Sequence, residues 1–223
     1  MSRLSGTGQK ARFRLRKIAN FIRTPMQFPT YPSAIQQMVE MNLDDVRYAS
    51  LALAIDRIAK EGIQGAFAEL GVYRGDTSKF IHCQAPDRRL YLFDSFEGFP
   101  SSDLEVAEDN RFQDTSREAV ANHIGDTKNI VFRPGRFPDT AAGLEDEKFA
   151  LVMLDFDLYK PTLAALEFFY PRVVRGGYFF LHDYNSPESD SAISRAVSDF
   201  FIDKPELLLE IPDIWGSAVF RKI

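Results

Sequence analysis

The chain has 223 residues, 45% hydrophobic and 26% charged, the composition of one globular domain with enough apolar mass for a substantial core. No apolar run reaches the roughly 18 residues of a membrane-spanning helix, and the N-terminus is too basic for a secretory signal, so a cytoplasmic protein is expected. The net charge of −5 disfavours nucleic acid as a partner, and a single cysteine, Cys83, excludes an intrachain disulfide and a thiolate metal cluster, leaving a buried, inert thiol as its expected state.

Charge is unevenly spread. Residues 1–39 carry seven lysines and arginines and no acid, so the body is more acidic than the net value. In "KARFRLRKIANFIR", Phe13, Lys17, Ile18, Phe21 and Ile22 fall at helical spacings, which predicts an amphipathic helix with a basic face. Two uses fit it: packing on its own domain or a partner subunit, and peripheral attachment to an anionic membrane surface or acidic carrier. The proline-rich "TPMQFPTYPS" reads as an extended connector, so residues 1–40 form a basic N-terminal segment and 41–223 the main domain.

The segment "MNLDDVRYASLALAIDRIAKEG" predicts a helix with Asn42 as N-cap and Gly62 as stop. Strands and helices then alternate: "GAFAELGV", "RLYLFD", "NIVFRPG", "FALVMLD" and "GGYFFLHD" read as strands. Between and after them "DTSKFIHCQ", "DTSREAVANHI", a short stretch near Phe137–Leu144, "PTLAALEFFYPRV" and a segment from about Glu188 to Ile202 read as helices. That order predicts an α/β fold with a doubly wound, mostly parallel sheet. The chain ends on "ELLLEIP" and "GSAVFRKI", joined by a short loop, which predicts an antiparallel C-terminal hairpin at one edge. The acidic "SSDLEVAEDNRFQD" reads as a mobile loop near the active face.

Ligands of such sheets bind beyond the carboxyl ends of the strands. In "AELGVYRGDTS" the glycines at 71 and 75 let a ligand approach the backbone at a helix start, but the turn lacks the GxGxxG of a dinucleotide site. Glu69 within it would repel phosphate and suit the sulfonium and amino group of S-adenosylmethionine. Asp94, 23 residues beyond Gly71 at the next strand end, is placed to accept hydrogen bonds from ribose hydroxyls.

Asp155 and Asp157 end one strand while His182 and Asp183 end the following one, so the four should converge if those strands are neighbours. Three carboxylates and an imidazole in one cleft call for a cation, and such donors suit Mg²⁺, Mn²⁺ or Ca²⁺, with Zn²⁺ less favoured in the absence of thiolates. Singly, each has a plainer reading: Asp155 as the cap of a helix opening at Pro161, His182 as a hydrogen-bonded histidine at the core edge.

These blocks, from about Phe67 to Phe200, resemble the macrocin O-methyltransferase family, through "ELGVYRGDTS", "LYLFDSFEGFP", "PGRFPDT" and above all "LDFDLYKPTLAALEFFYPRVVRGGYFFLHDY". The resemblance implies a class I, Rossmann-like methyltransferase domain over 41–223 that transfers methyl from S-adenosylmethionine to a hydroxyl of a sugar or glycosylated metabolite. It further implies the cofactor over Glu69, Gly71 and Asp94, with Tyr73, Gly75, Ser78 and Ser95 as further candidates in the same two turns. Asp155, His182 and Asp183 are the implied Mg²⁺ (or Mn²⁺) ligands and Asp157 the general base, with His182 standing where family members carry an aspartate. In this family the N-terminal region contributes a substrate lid and subunit contacts, so a homo-oligomer is implied. The competing expectation is a noncatalytic S-adenosylmethionine-binding or assembly protein of the same fold.

Overall fold

The computed structural model describes residue 29 and residues 31–41, 44–105 and 108–223. The chain divides into two units, Met1–Thr30 and Tyr31–Ile223. The basic amphipathic segment and Asn42 lie outside the described residues.

The second unit holds a seven-stranded sheet flanked by six α-helices. Its elements in chain order are α1 (Ser33–Met41), α2 (Asp45–Lys60), β1 (Ala66–Leu70), α3 (Asp76–Gln84), β2 (Leu90–Asp94), α4 (Arg117–Ile124) and β3 (Ile130–Pro134). There follow β4 (Phe149–Leu154), α5 (Tyr159–Phe169), β5 (Val173–Leu181), α6 (Ala192–Phe200), β6 (Leu209–Glu210) and β7 (Ala218–Arg221). The strand order is β3-β2-β1-β4-β5-β7-β6, with β1 to β5 parallel and β7 antiparallel to both β5 and β6.

The central strands β1 and β4 are buried along their whole length on both faces, as a sheet covered on both sides requires. Phe67, Leu90, Leu92, Leu151 and Met153 pack in one core with α1 to α4, while Ala68, Leu70, Tyr91, Phe93, Val152 and Leu154 pack in the other with α5 and α6. Because side chains alternate along a strand, this fixes the face of the polar residues that follow: Glu69 continues the Phe67 row, and Asp155 the Leu151–Met153 row. Both rows lie on the α2–α3 side. In the opposite core Phe169 meets Phe149 edge to face at 4.8 Å between ring centres, a geometry that adds about 0.5–1.5 kcal/mol to simple burial.

Several local expectations shift. A helix, α1, begins at Ser33 within the predicted connector, carried by Ile35 and Val39, one turn apart and buried. The stretch near Phe137–Leu144 is one 3-10 turn at Asp139–Ala141, and the helix expected over 188–202 shortens to Ala192–Phe200 between two 3-10 turns. "ELLLEIP" pairs over only Leu209–Glu210, leaving Leu207 89% exposed at the sheet edge. Cys83, on α3, is half-buried, and desolvation raises its thiol pKa, in line with an unreactive role. Among the described residues no helix is long and apolar enough to cross a membrane.

Candidate active site

The strand order reverses between β1 and β4, and the crevice opens where their carboxyl ends part. Gly71 lets the two chains separate at close quarters. Its φ is +84°, and a Cβ there would lie 1.9 Å from the carbonyl oxygen of Asp155. Neither atom can retreat, since Asp155 N–H donates to Leu70 O at 2.7 Å and Gly71 N–H to Phe93 O at 2.9 Å. Gly71→Ala is therefore expected to destabilise the fold by about 3 kcal/mol or more, checked by denaturant melting of the purified variant.

Gly75, at φ +83°, ends the same turn, and the first turn of α3 lines the cleft through Asp76 and Thr77. The amides of Gly71 and Gly75 are engaged within the turn, by Phe93 O and Val72 O. Glu69 is fully buried, and Ser78 Oγ donates to its Oε2. Burial raises its pKa to about 8, only partly opposed by the Ser78 hydrogen bond. Of the expected cofactor residues, Ser78 alone lies off the cleft wall, behind Glu69.

Asp94 shapes the turn that faces it. Val72 N–H and Tyr73 N–H donate to its Oδ2 at 2.6 and 2.9 Å, and Phe96 N–H to its Oδ1 at 2.7 Å. These bonds take three of a carboxylate's roughly four acceptor positions, leaving about one for an incoming ribose hydroxyl rather than one for each. The Ser95 hydroxyl is likewise engaged locally, donating to Gly98 O at 2.6 Å and accepting from Glu97 N–H at 3.1 Å. Tyr73, at φ +50°, rests edge-on against Phe112 at 5.0 Å.

Across the crevice the ends of β4 and β5, which are neighbours in the sheet, bring the four acid-cluster residues together. His182 Nδ1 lies 2.8 Å from Asp155 Oδ1 and 3.1 Å from Asp183 Oδ2. Burial pulls the imidazole pKa down, but the adjoining carboxylates, Asp155 foremost, outweigh it and hold it at about 10. Asp157 leaves the strand in a left-handed conformation, φ +58°, and its buried carboxyl hydrogen-bonds Asp183. Desolvation, then the charges of Asp155 and Asp183, push Asp157 well above the ordinary carboxylate range. The capping role open to Asp155 is not used: α5 starts at Tyr159 after Leu158, with no side-chain cap.

Residues 31–222 match the family model described as macrocin-O-methyltransferase (TylF). The chain belongs to the macrocin O-methyltransferase family. It is an S-adenosylmethionine-dependent O-methyltransferase of class I fold. The methyltransferase is 28% identical over 209 residues to the 8-demethyl-8-(2,3-dimethoxy-alpha-L-rhamnosyl)-tetracenomycin-C 4'-O-methyltransferase of Streptomyces olivaceus, covering 85% of this chain and 76% of that protein. It is 27% identical over 183 residues to the mycinamicin III 3''-O-methyltransferase of Micromonospora griseorubida, covering 73% and 70%. Its fold is similar to the solved structure of the O-methyltransferase NovP, with a TM-score of 0.65, 24% identity and 79% of each chain covered.

The methyltransferase's donor set fits a divalent cation. One ligand atom each from Asp155, His182 and Asp183 lies within 4.8 Å of the others, and Asp183 Oδ1 and His182 Nε2 are buried without a hydrogen-bond partner among the described residues. Four further wall or rim residues escaped the sequence reading. Arg47 of α2 pairs through Nε with the buried Asp44 at 2.8 Å. Arg136 grips Asp103 with Nη2 at 2.6 Å, anchoring the start of the acidic segment. Arg111, at the end of that segment, stands 3.8 Å from Asp157 Oδ2, and Trp215 of the β6–β7 loop lies 6.3 Å from His182 between ring centres. For Arg47 a signal existed: it occupies the stripe Arg47, Leu51, Ile55, Ile58, where an arginine among apolar residues marks a buried charge.

Proposed function

We propose that this methyltransferase transfers methyl from S-adenosylmethionine to a hydroxyl of a sugar or glycosylated small molecule, with a divalent cation, Mg²⁺ or Mn²⁺, held by Asp155, His182 and Asp183. The observation that carries the reading is the convergence of Asp155, Asp157, His182 and Asp183 across one crevice from the Glu69–Gly75 turn. The names of two similar proteins, a rhamnosyl-tetracenomycin methyltransferase and a mycinamicin methyltransferase, support the acceptor class.

Glu69 faces the cofactor's ammonium and sulfonium, and the Gly71–Gly75 turn lines the crevice beside it. Asp94 holds the Val72–Tyr73 amides in place and keeps one acceptor position for ribose. The acceptor hydroxyl enters between Asp155 and Asp157. A bound cation would act as a Lewis acid that lowers the pKa of that hydroxyl. Asp157 takes the proton once its own carboxyl is ionised: burial and the Asp155 and Asp183 carboxylates favour its protonated form in the free site, and a cation bound beside it would favour the ionised form that can act as base. Transfer itself needs proximity and alignment, which the two turns supply.

A cation-independent variant of the same chemistry is favoured by one observation, the His182 imidazole held between Asp155 and Asp183, where it balances carboxylate charge on its own. Calorimetry separates the two: saturation with S-adenosylhomocysteine followed by Mn²⁺ titration should give a second binding event, and none would leave the cation-independent variant standing. His182→Asp, an all-oxygen donor set, is expected to tighten Mg²⁺ binding by about tenfold, one charged contact's worth, read in the same titration.

A further inference from the structure

We propose that Arg47 receives the carboxylate of the cofactor's amino-acid arm, so that Glu69 and Arg47 together read the zwitterion; the inference rests on the cofactor placement proposed above. A sulfonium has three carbon branches. Its methyl must face the acceptor hydroxyl at Asp155 and Asp157, and its ribose runs toward Asp94 at the end of β2. The aminobutyrate branch is left with the wall formed by α2 and α3. Strand alternation already turns Glu69 and Asp155 to that side, and Arg47 and Tyr48 of α2 line the cleft there.

Among the described residues three arginines line the cleft, and two are engaged elsewhere. Arg74 is bonded to Asp114 with its side chain 60% exposed, and Arg136 is gripped by Asp103. Arg47 has a side chain only 11% exposed, directs Nε to Asp44, and keeps Nη1 4.0 Å from Asp155 Oδ2, beyond hydrogen-bond reach. Neither Nη donates a hydrogen bond to a described residue. A guanidinium carries five donors in a planar fork matched to a carboxylate, and enclosure strengthens such a contact. A carboxylate arriving there would complete the fork through the Nη groups, leaving Nε to Asp44, with the cofactor's own ammonium and sulfonium offsetting the added negative charge.

The test uses the full chain, S-adenosylhomocysteine, and its decarboxylated analogue, compared by calorimetry. The wild type should prefer S-adenosylhomocysteine by roughly 10- to 100-fold, the range of a hydrogen-bonded charge pair. Arg47→Gln should lose that factor for S-adenosylhomocysteine while binding the analogue within about twofold of wild type, so that the preference collapses. Equal loss on both ligands, or a preference that survives in Arg47→Gln, overturns the assignment and makes Arg47 a support of Asp155 or of the fold. Arg47→Lys, which keeps the charge without the fork, should retain part of the preference if Arg47→Gln does not fold. A wild type that binds both ligands alike overturns the inference without any variant. A wild type that binds neither refutes the cofactor placement itself.

Discussion

Replacing Asp155 with alanine is expected to lower kcat by about 10³-fold while changing the affinity for S-adenosylhomocysteine by less than about threefold. The asymmetry follows from where the side chain points. Its carboxylate lies 2.8 Å from His182 Nδ1 at the end of β4, whereas the proposed cofactor contacts, Glu69 and Asp94, stand on β1 and β2. The backbone contact that closes the crevice, Asp155 N–H to Leu70 O, does not involve the side chain and survives the substitution. Steady-state kinetics with calorimetry on the same preparation checks both halves. Activity comparable to wild type would remove Asp155, and with it the proposed cation site, from the chemistry.

Glu69→Gln is expected to move stability and binding in opposite directions. The folded pKa of Glu69, about 8, lies above the ordinary 4.5, so its contribution to stability is fully present below about pH 4.5 and is lost as pH rises through 8. Asp157, also raised, acts in the same sense. The ligand-free wild type should therefore melt at progressively lower temperature from pH 5 to pH 8.5. Glutamine keeps an acceptor for the Ser78 hydroxyl and cannot ionise, so the variant should lose part of that slope and gain about 2–4 kcal/mol at pH 8, from about 1.36 kcal/mol per pKa unit. It should at the same time bind S-adenosylhomocysteine roughly 10- to 100-fold more weakly, having lost the carboxylate proposed to face the ammonium. Thermal melts at pH 5.5 and 8.5 read the first effect and calorimetry the second. An unchanged pH slope would show that Glu69 is not the buried acid responsible. Such a residue illustrates a site held at the expense of fold stability.

Much of this architecture is legible because the strands are short apolar runs closed by polar punctuation. β2 ends on Asp94, β4 is followed at once by Asp155, and β1 carries Glu69 one residue before its last, Leu70, so an acid at or beside each strand end marks its carboxyl end. The convergence of Asp155 with His182 and Asp183 follows once β4 and β5 are read as parallel neighbours. What the pattern conceals is set by tertiary contact. The prolines of "TPMQFPTYPS" mask α1, whose Ile35 and Val39 gain their helical meaning only by packing on the sheet-side core. "ELLLEIP" carries a strong apolar run, yet β6 is the outermost strand and its flanking Leu207 stays exposed among the described residues. Asp94 reads as a ribose ligand from its position alone, whereas its three backbone bonds depend on how the β1 turn folds back over it. Arg47 sits on an apolar helical stripe 108 residues from Asp155, a separation across which no local spacing rule operates.

Whether the cluster at the ends of β4 and β5 directs methyl transfer to a sugar hydroxyl is decided by supplying the full chain with methyl-labelled S-adenosylmethionine and a panel of glycosylated metabolites, with and without Mg²⁺ or Mn²⁺ after chelation. Label is expected in an ether on a sugar hydroxyl, lost on chelation and restored by the cation. Saturable cofactor binding with no label on any glycoside, or label delivered to nitrogen or carbon, would contradict it.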